Sequence, residues 1–246
     1  MNQNILPLNT EIWQNTLGWY PDEKQQLKLQ KLYEQILQGN SQLNLTRIID
    51  NEDFWEKHLW DSLAGVIQKD NILKTQDNLK VIDIGTGGGF PGMPFAIIFP
   101  DWNVTLLDST KKKMIFLESI LPILNITNVN TLIGRVEAIA QQKNHRQKYD
   151  LASIRAVGSV SVCAEYVLPL LKLGGIGILY RGKLTEEELE KLKVSTHLLG
   201  GKIETINALT MPLTSGIRHC IYLKKIAPTS AQYPRNIGIP KQQPLA

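Results

Sequence analysis

Val81-Ile82-Asp83-Ile84-Gly85-Thr86-Gly87-Gly88-Gly89-Phe90-Pro91-Gly92 joins a short apolar run to a turn holding five glycines. The apolar run reads as a buried strand and the glycines as a tight turn. Pro91 and Pro94 suit the first turn of a following helix, where a proline's missing N–H costs nothing. Strand, glycine turn and helix in that order form the place where an open α/β sheet receives a nucleotide-like ligand. Glycine there tolerates positive φ and lets a ligand approach the backbone.

Reading towards the C-terminus, strands and helices alternate. Strands are predicted at 103–107, ending in Asp108, and at 129–133, 150–154 and 176–180. Helices are predicted at 111–124, near Glu137, at 159–171 closed by Gly174-Gly175, and at 186–199. Segments 202–209 and 217–226 read as a final antiparallel pair. This alternation implies an α/β fold, a doubly wound, mostly parallel, Rossmann-like sheet with an antiparallel edge. Towards the N-terminus the texture is helical. Asp22 and Gln25 have capping-box spacing, Leu29, Leu32, Tyr33, Ile36 and Leu37 mark one helix face, and Gly39-Asn40 reads as its stop. A second helix is predicted over 51–68, with Trp55, Leu59, Leu63 and Val66 as its buried stripe. The expected organisation is an N-terminal helical cap at 1–78, the sheet domain at 79–226 and a basic, extended tail at 227–246.

With 246 residues, 43% hydrophobic and 20% charged, the chain can bury a large core. No apolar run reaches the roughly 18 residues of a membrane span, and the first residues lack the basic and apolar blocks of a signal peptide. Two cysteines, Cys163 and Cys220, exclude a disulfide framework and favour a reducing, cytoplasmic location. No Cys/His cluster has zinc spacing, so no metal is expected. Charge is uneven. Residues 1–78 hold 7 Lys/Arg against 11 Asp/Glu, whereas residues 205–246 hold Arg218, Lys224, Lys225, Arg235 and Lys241 and no acid. That basic segment points to a polyanion, nucleic acid among the choices, or else to a solvated edge.

The glycines can be read in two frames. Gly87, Gly89 and Gly92 give the dinucleotide spacing, but Gly85 must already make the turn. The frame Gly85-x-Gly87-x-Gly89 suits S-adenosylmethionine, which has no phosphate to seat. Asp108, 25 residues beyond Asp83, is placed to accept from both ribose hydroxyls in either cofactor class, or to cap the helix from Lys111. Glu137 is placed either to reach an adenine or to lie on the surface. The long helical preamble and the antiparallel end favour a methyltransferase over an NAD-dependent oxidoreductase. Its fourth strand ends Ser153-Ile154-Arg155-Ala156, without the Asn/Asp-Pro-Pro-aromatic element of exocyclic-amine methylation, and neither cysteine follows a proline. A nucleophile that needs no enzyme base, such as guanine N7, is compatible with these residues.

The ordered set Asn44-Leu45-Thr46, His58 with Asp61-Ser62, Asp83 to Gly92, Leu107-Asp108-Ser109, Arg135-Val136-Glu137, Arg155-Ala156-Val157, Gly182-Lys183, Arg218-His219 and Tyr233-Pro234-Arg235 resembles the glucose-inhibited division protein B family nearly end to end. These are bacterial 16S rRNA guanine-N7 methyltransferases. The resemblance implies a class I methyltransferase fold and S-adenosyl-L-methionine as cofactor. It implies contacts to that cofactor from Gly85, Phe90, Asp108, Ser109, Thr110, Val136, Glu137 and Arg155. The implied partner is 16S rRNA or the 30S subunit, without a membrane, met by a monomer. Arg181 stands where many members carry lysine.

Arg155 reads as a cofactor or substrate contact, or as one half of a structural ion pair. Arg181, Lys183 and Arg218 read as contacts to RNA phosphates, with Arg181 also able to stack on a base, or as surface charge. His58 with Asp61 suits either the substrate mouth or a buried, satisfied pair, and no residue is assigned as catalytic. A non-catalytic RNA-binding module on the same fold stays open beside the enzyme readings.

Overall fold

The computed structural model describes residues 5–67 and 77–246. At its centre is a seven-stranded sheet in the order β3-β2-β1-β4-β5-β7-β6. Strands β1 (Lys80–Ile84), β2 (Asn103–Asp108), β3 (Val129–Ile133), β4 (Tyr149–Arg155) and β5 (Leu171–Arg181) run parallel. β7 (Ile217–Lys225) pairs antiparallel with both β5 and β6 (Gly201–Thr210). The expected fold class and hairpin edge are therefore found.

Alternation along each strand feeds two cores. Val81, Val104, Leu106, Leu151, Ile178 and Tyr222 face a layer built with α1 (Thr10–Leu17), α2 (Glu23–Leu43) and the helices after it. Ile82, Ile84, Leu107, Ala152, Ile154 and Leu179 face α7 (Val136–Ile139), α8 (Val160–Val167) and α9 (Glu186–Leu198). Successive side chains pointing to opposite faces is the period-two property of a strand, here with both faces covered. The N-terminal helices thus share one core with a sheet face, through Trp13, Tyr33, Phe54, Trp55 and Trp60.

Three local expectations are corrected. Helix α2 starts at the predicted box, with Asp22 and Gln25 bonded reciprocally at 2.8 and 2.9 Å. It does not stop at Gly39-Asn40 but runs to Leu43 and closes on Asn44 at φ 47°. Gly39 is a packing glycine: a Cβ there would lie 2.4 Å from the Phe116 ring. The predicted helix over 51–68 is α3 (Asn51–Phe54), a π-helical stretch Trp55–Trp60 and α4 (Asp61–Ile67), with Gln68 outside the described residues. It is buried nearly all round, not along one stripe. The helix predicted to reach Leu171 ends at Val167. Leu171 already pairs with Tyr149, and Gly174-Gly175 sits within β5 beside a register shift between Tyr149 and Leu151. Glycine inside a strand marks such an irregularity.

The tail is not simply extended. It is fastened along the second core and carries a short helix, α10 (Ile239–Gln242). Among the described residues, no helix is long and apolar enough to cross a membrane.

Candidate active site

The carboxyl ends of the five parallel strands share one edge of the sheet, and the predicted residues gather there. Beyond Ile84 the chain turns at Gly85, whose φ of 69° and closeness to Val157 (2.7 Å from where a Cβ would stand) exclude other residues. The Gly85 and Thr86 N–H groups donate to the Leu107 carbonyl at 2.8 and 3.0 Å, which lashes the turn to β2. Asp83 fixes its other side. Its carboxylate accepts from Thr86 Oγ1 at 2.6 Å, Gly92 N at 3.0 Å and Ser153 Oγ at 2.9 Å. Burial pushes the Asp83 carboxyl up, and the three donors oppose that shift. The first N–H of α5 (Gly92–Ile98) is thus spent on a carboxylate, a poor seat for the pyrophosphate that the dinucleotide frame requires.

Asp108, at the end of β2, accepts from Gly87 N at 3.0 Å and from Thr110 N at 2.8 Å. It therefore joins the glycine turn to the start of α6 (Lys111–Ile120), whose N-cap position is Thr110. Each carboxylate oxygen has a second lone pair, so its capacity for sugar hydroxyls is kept. Glu137 is not on the surface: it is buried, and its Oε1 accepts from Tyr166 Oη at 3.0 Å, Arg135 Nη2 at 3.1 Å and Gly238 N at 3.1 Å. Its Oε2 is buried and has no hydrogen-bond partner among the described residues.

These residues wall a cavity of about 240 Å³ that includes Gly85, Asp108, Ser109, Val136 and Glu137. Of the other predicted cofactor residues, Thr110 holds Asp108, while Phe90 and Arg155 form an adjoining layer outside the cavity lining. There the Phe90 and His58 rings stack at 4.3 Å between centroids and 9° between planes. Arg155 forms the ion pair that the sequence left open as one alternative, with Nη1 2.8 Å from Asp61 Oδ2, and its guanidinium lies 5.9 Å from the Phe90 ring. A guanidinium can only donate, so the 3.2 Å contact from Arg155 Nη2 makes His58 Nδ1 the acceptor. His58 Nε2 then carries the hydrogen and donates to Thr46 Oγ1 at 2.7 Å. Burial first, and the Arg155 charge second, push the His58 pKa down to about 3, so the imidazole is neutral at pH 7.

Arg218, on β7, lies 2.6 Å from Asp61 Oδ1, so one fully buried carboxylate is held between two guanidinium groups. The trio keeps a net positive charge beside the cavity. Arg181 donates to Gly158 O at 2.8 Å and pairs with Glu188 at 2.7 Å. Lys183 is exposed and enters no ion pair among the described residues.

The basic C-terminal segment is largely satisfied within the protein. Arg218 pairs with Asp61, Lys224 with Glu204 and Arg235 with Glu165, and Lys225 is buried with Nζ donating to Leu199 O at 3.1 Å. Counting its charges therefore does not locate a polyanion. Tyr166 was not singled out from sequence, while Asp83, Thr46 and Lys241 entered only within the strand motif, the family resemblance and the basic segment, without a site role of their own.

A family model described as rRNA small subunit methyltransferase G matches residues 25–221. The chain is 55% identical over 243 residues to the ribosomal RNA small subunit methyltransferase G of Trichormus variabilis, covering 98% of this chain and 99% of that protein. With the same-named protein of Trichodesmium erythraeum it shares 53% over 249 residues, covering 100% and 98%. Among solved structures, a mutant 16S rRNA (adenine(1408)-N(1))-methyltransferase from Catenulisporales acidiphilia with cosubstrate SAM superposes with a TM-score of 0.53 at 14% identity. That superposition covers 63% of this chain and 88% of that one, and it speaks for the fold alone.

Proposed function

The chain belongs to the rRNA small subunit methyltransferase G family, and from that membership we propose that it transfers a methyl group from S-adenosyl-L-methionine to N7 of a guanine in 16S rRNA. The observation that carries this reading is the cavity at the carboxyl edge. There a positive-φ glycine turn, a carboxylate at the end of β2 and a buried carboxylate after β3 meet in one wall.

These residues fit the proposed cofactor. Gly85 gives close backbone approach, Asp108 has lone pairs for ribose hydroxyls, and Glu137 Oε2 is an acceptor without a donor. The cofactor supplies a sulfonium-bound methyl group as electrophile. The protein's task is then placement and exclusion of water. Guanine N7 has a free lone pair and no proton to lose, so no general base is needed. The His58 environment agrees with that: its one lone pair faces the Arg155 guanidinium, and the ring is held against Phe90. Arg155 and Arg218 give the adjoining layer the positive charge a nucleotide phosphate seeks. Arg181 at the end of β5, Lys183 just beyond it and Arg218 on the paired β7 are the proposed contacts to RNA, and the substrate is 16S rRNA or the 30S subunit, met by a monomer in the cytoplasm.

The test is transfer of label from tritiated cofactor to 16S rRNA and to 30S subunits, with the modified nucleoside identified by mass. The expected product is 7-methylguanosine. Label on another nucleoside, or binding of rRNA without transfer, would overturn the reading.

A further inference from the structure

Residues beyond 221 lie outside the stretch matched by the family model, yet hydrogen bonds and an ion pair fasten the C-terminal segment to the sheet domain. Arg235 forks onto fully buried Glu165, with Nε–Oε1 at 3.0 Å and Nη2–Oε2 at 2.7 Å, and its own N–H donates to Oε1 at 2.8 Å. Arg146 donates to the carbonyls of Thr229, Ser230 and Tyr233 at 2.9, 3.0 and 2.7 Å. Gly238 N–H donates to Glu137 Oε1 at 3.1 Å. Three residues on, Lys241 forms part of the wall of the cavity that Asp108, Glu137 and Tyr166 also line.

The chemistry at that end is polar and matched to a purine. Glu137 holds one buried oxygen without a donor, and Lys241 brings an ammonium with donors and no acceptor. An adenine offers ring-nitrogen acceptors next to an amino donor. Asp108, on the sugar side, and the Gly85 turn line another part of the wall, which leaves the Glu137–Lys241 end for the base.

We propose that the C-terminal segment is a wall of the cofactor pocket and that Lys241 is a positioning residue at its adenine end. This rests on the cavity being the methyl donor's site. Lys241 is exposed at the surface, so its replacement leaves the core intact. The experiment is calorimetry of the full chain with S-adenosylhomocysteine and with adenosine, for the wild type, Lys241→Met and Lys241→Arg. The methionine variant is expected to bind both ligands about tenfold more weakly and by the same factor, because adenosine keeps the adenine contact and lacks only the amino-acid tail. The arginine variant is expected to recover most of that loss. On rRNA, Lys241→Met should raise the KM for the methyl donor and leave kcat at saturating donor within twofold. Unchanged affinities in Lys241→Met, or a loss confined to S-adenosylhomocysteine, would overturn the proposal. A wild-type protein that binds neither ligand would instead overturn the functional reading beneath it.

Discussion

Asp108 shows how much one side chain carries here. Its two oxygens hold Gly87 N and Thr110 N, so it shapes the glycine turn before any ligand arrives. Asp108→Ala is expected to raise the dissociation constant for S-adenosylhomocysteine at least tenfold, the scale of charge-assisted bonds at about 1.5–3 kcal/mol. Calorimetry reads this directly, and unchanged affinity would leave Asp108 only its role within the turn. His58 makes a second prediction, on stability. Its native pKa of about 3 lies below the unfolded value of 6.5, so below pH 6.5 the unfolded chain takes a proton that the native ring refuses. Stability is therefore full above pH 6.5 and falls as pH drops towards 3. From pH 7.5 to 5.5 the loss from this one group is about 1.4 kcal/mol. Urea unfolding of the wild type and His58→Gln at both pH values should show the variant's decline smaller by that amount.

At the scale of elements, what was legible follows from what each signal measures. Strands flanked by turn residues were readable because both faces of the sheet are covered, which leaves unbroken apolar runs such as Val81-Ile82 and Leu106-Leu107. Helix ends were less readable, because a glycine can stop a helix or let another element approach, and sequence does not separate the two. Gly39 is the second kind, pressed by Phe116 from α6. Gly39→Ala gains helix propensity but forces the ring aside. A net destabilisation of about 1–3 kcal/mol is expected, read as a lower midpoint in thermal unfolding. The π-helical stretch Trp55–Trp60 was invisible for a related reason: its extra residue per turn has no compositional mark. It carries His58 and leads into Asp61, so the part of the site that sequence left ambiguous is the part set by an irregular helix. The glycine turn and Asp108 were legible because their residue types are demanded by backbone geometry and by position on the sheet.

Across the whole molecule, the formal charge misleads about where a polyanion would lie. The cations of the acid-free C-terminal segment are paired or buried except Lys241 at the cavity wall, while further exposed cations near the site edge come from three other stretches. Arg47 follows Leu45, whose carbonyl would lie 3.3 Å from a Cβ at Gly88; Lys111 and Lys112 follow Asp108; and Lys183 follows β5. All four are exposed, and none enters an ion pair among the described residues, so their hydration and counterions are what a phosphate backbone would displace. Arg181 and Arg218, by contrast, must give up or share Glu188 and Asp61 to meet a phosphate. Lys183 is therefore the sharper probe of the three predicted RNA contacts. Lys183→Glu is expected to lower kcat/KM for rRNA several-fold and to leave S-adenosylhomocysteine affinity within twofold. The slope of log affinity for rRNA against log salt should become shallower by about one, the signature of one lost phosphate contact. Filter binding across a salt series measures that slope. An unchanged slope together with unchanged kcat/KM would move the RNA path away from the end of β5, towards the face bearing Arg47 and Lys111.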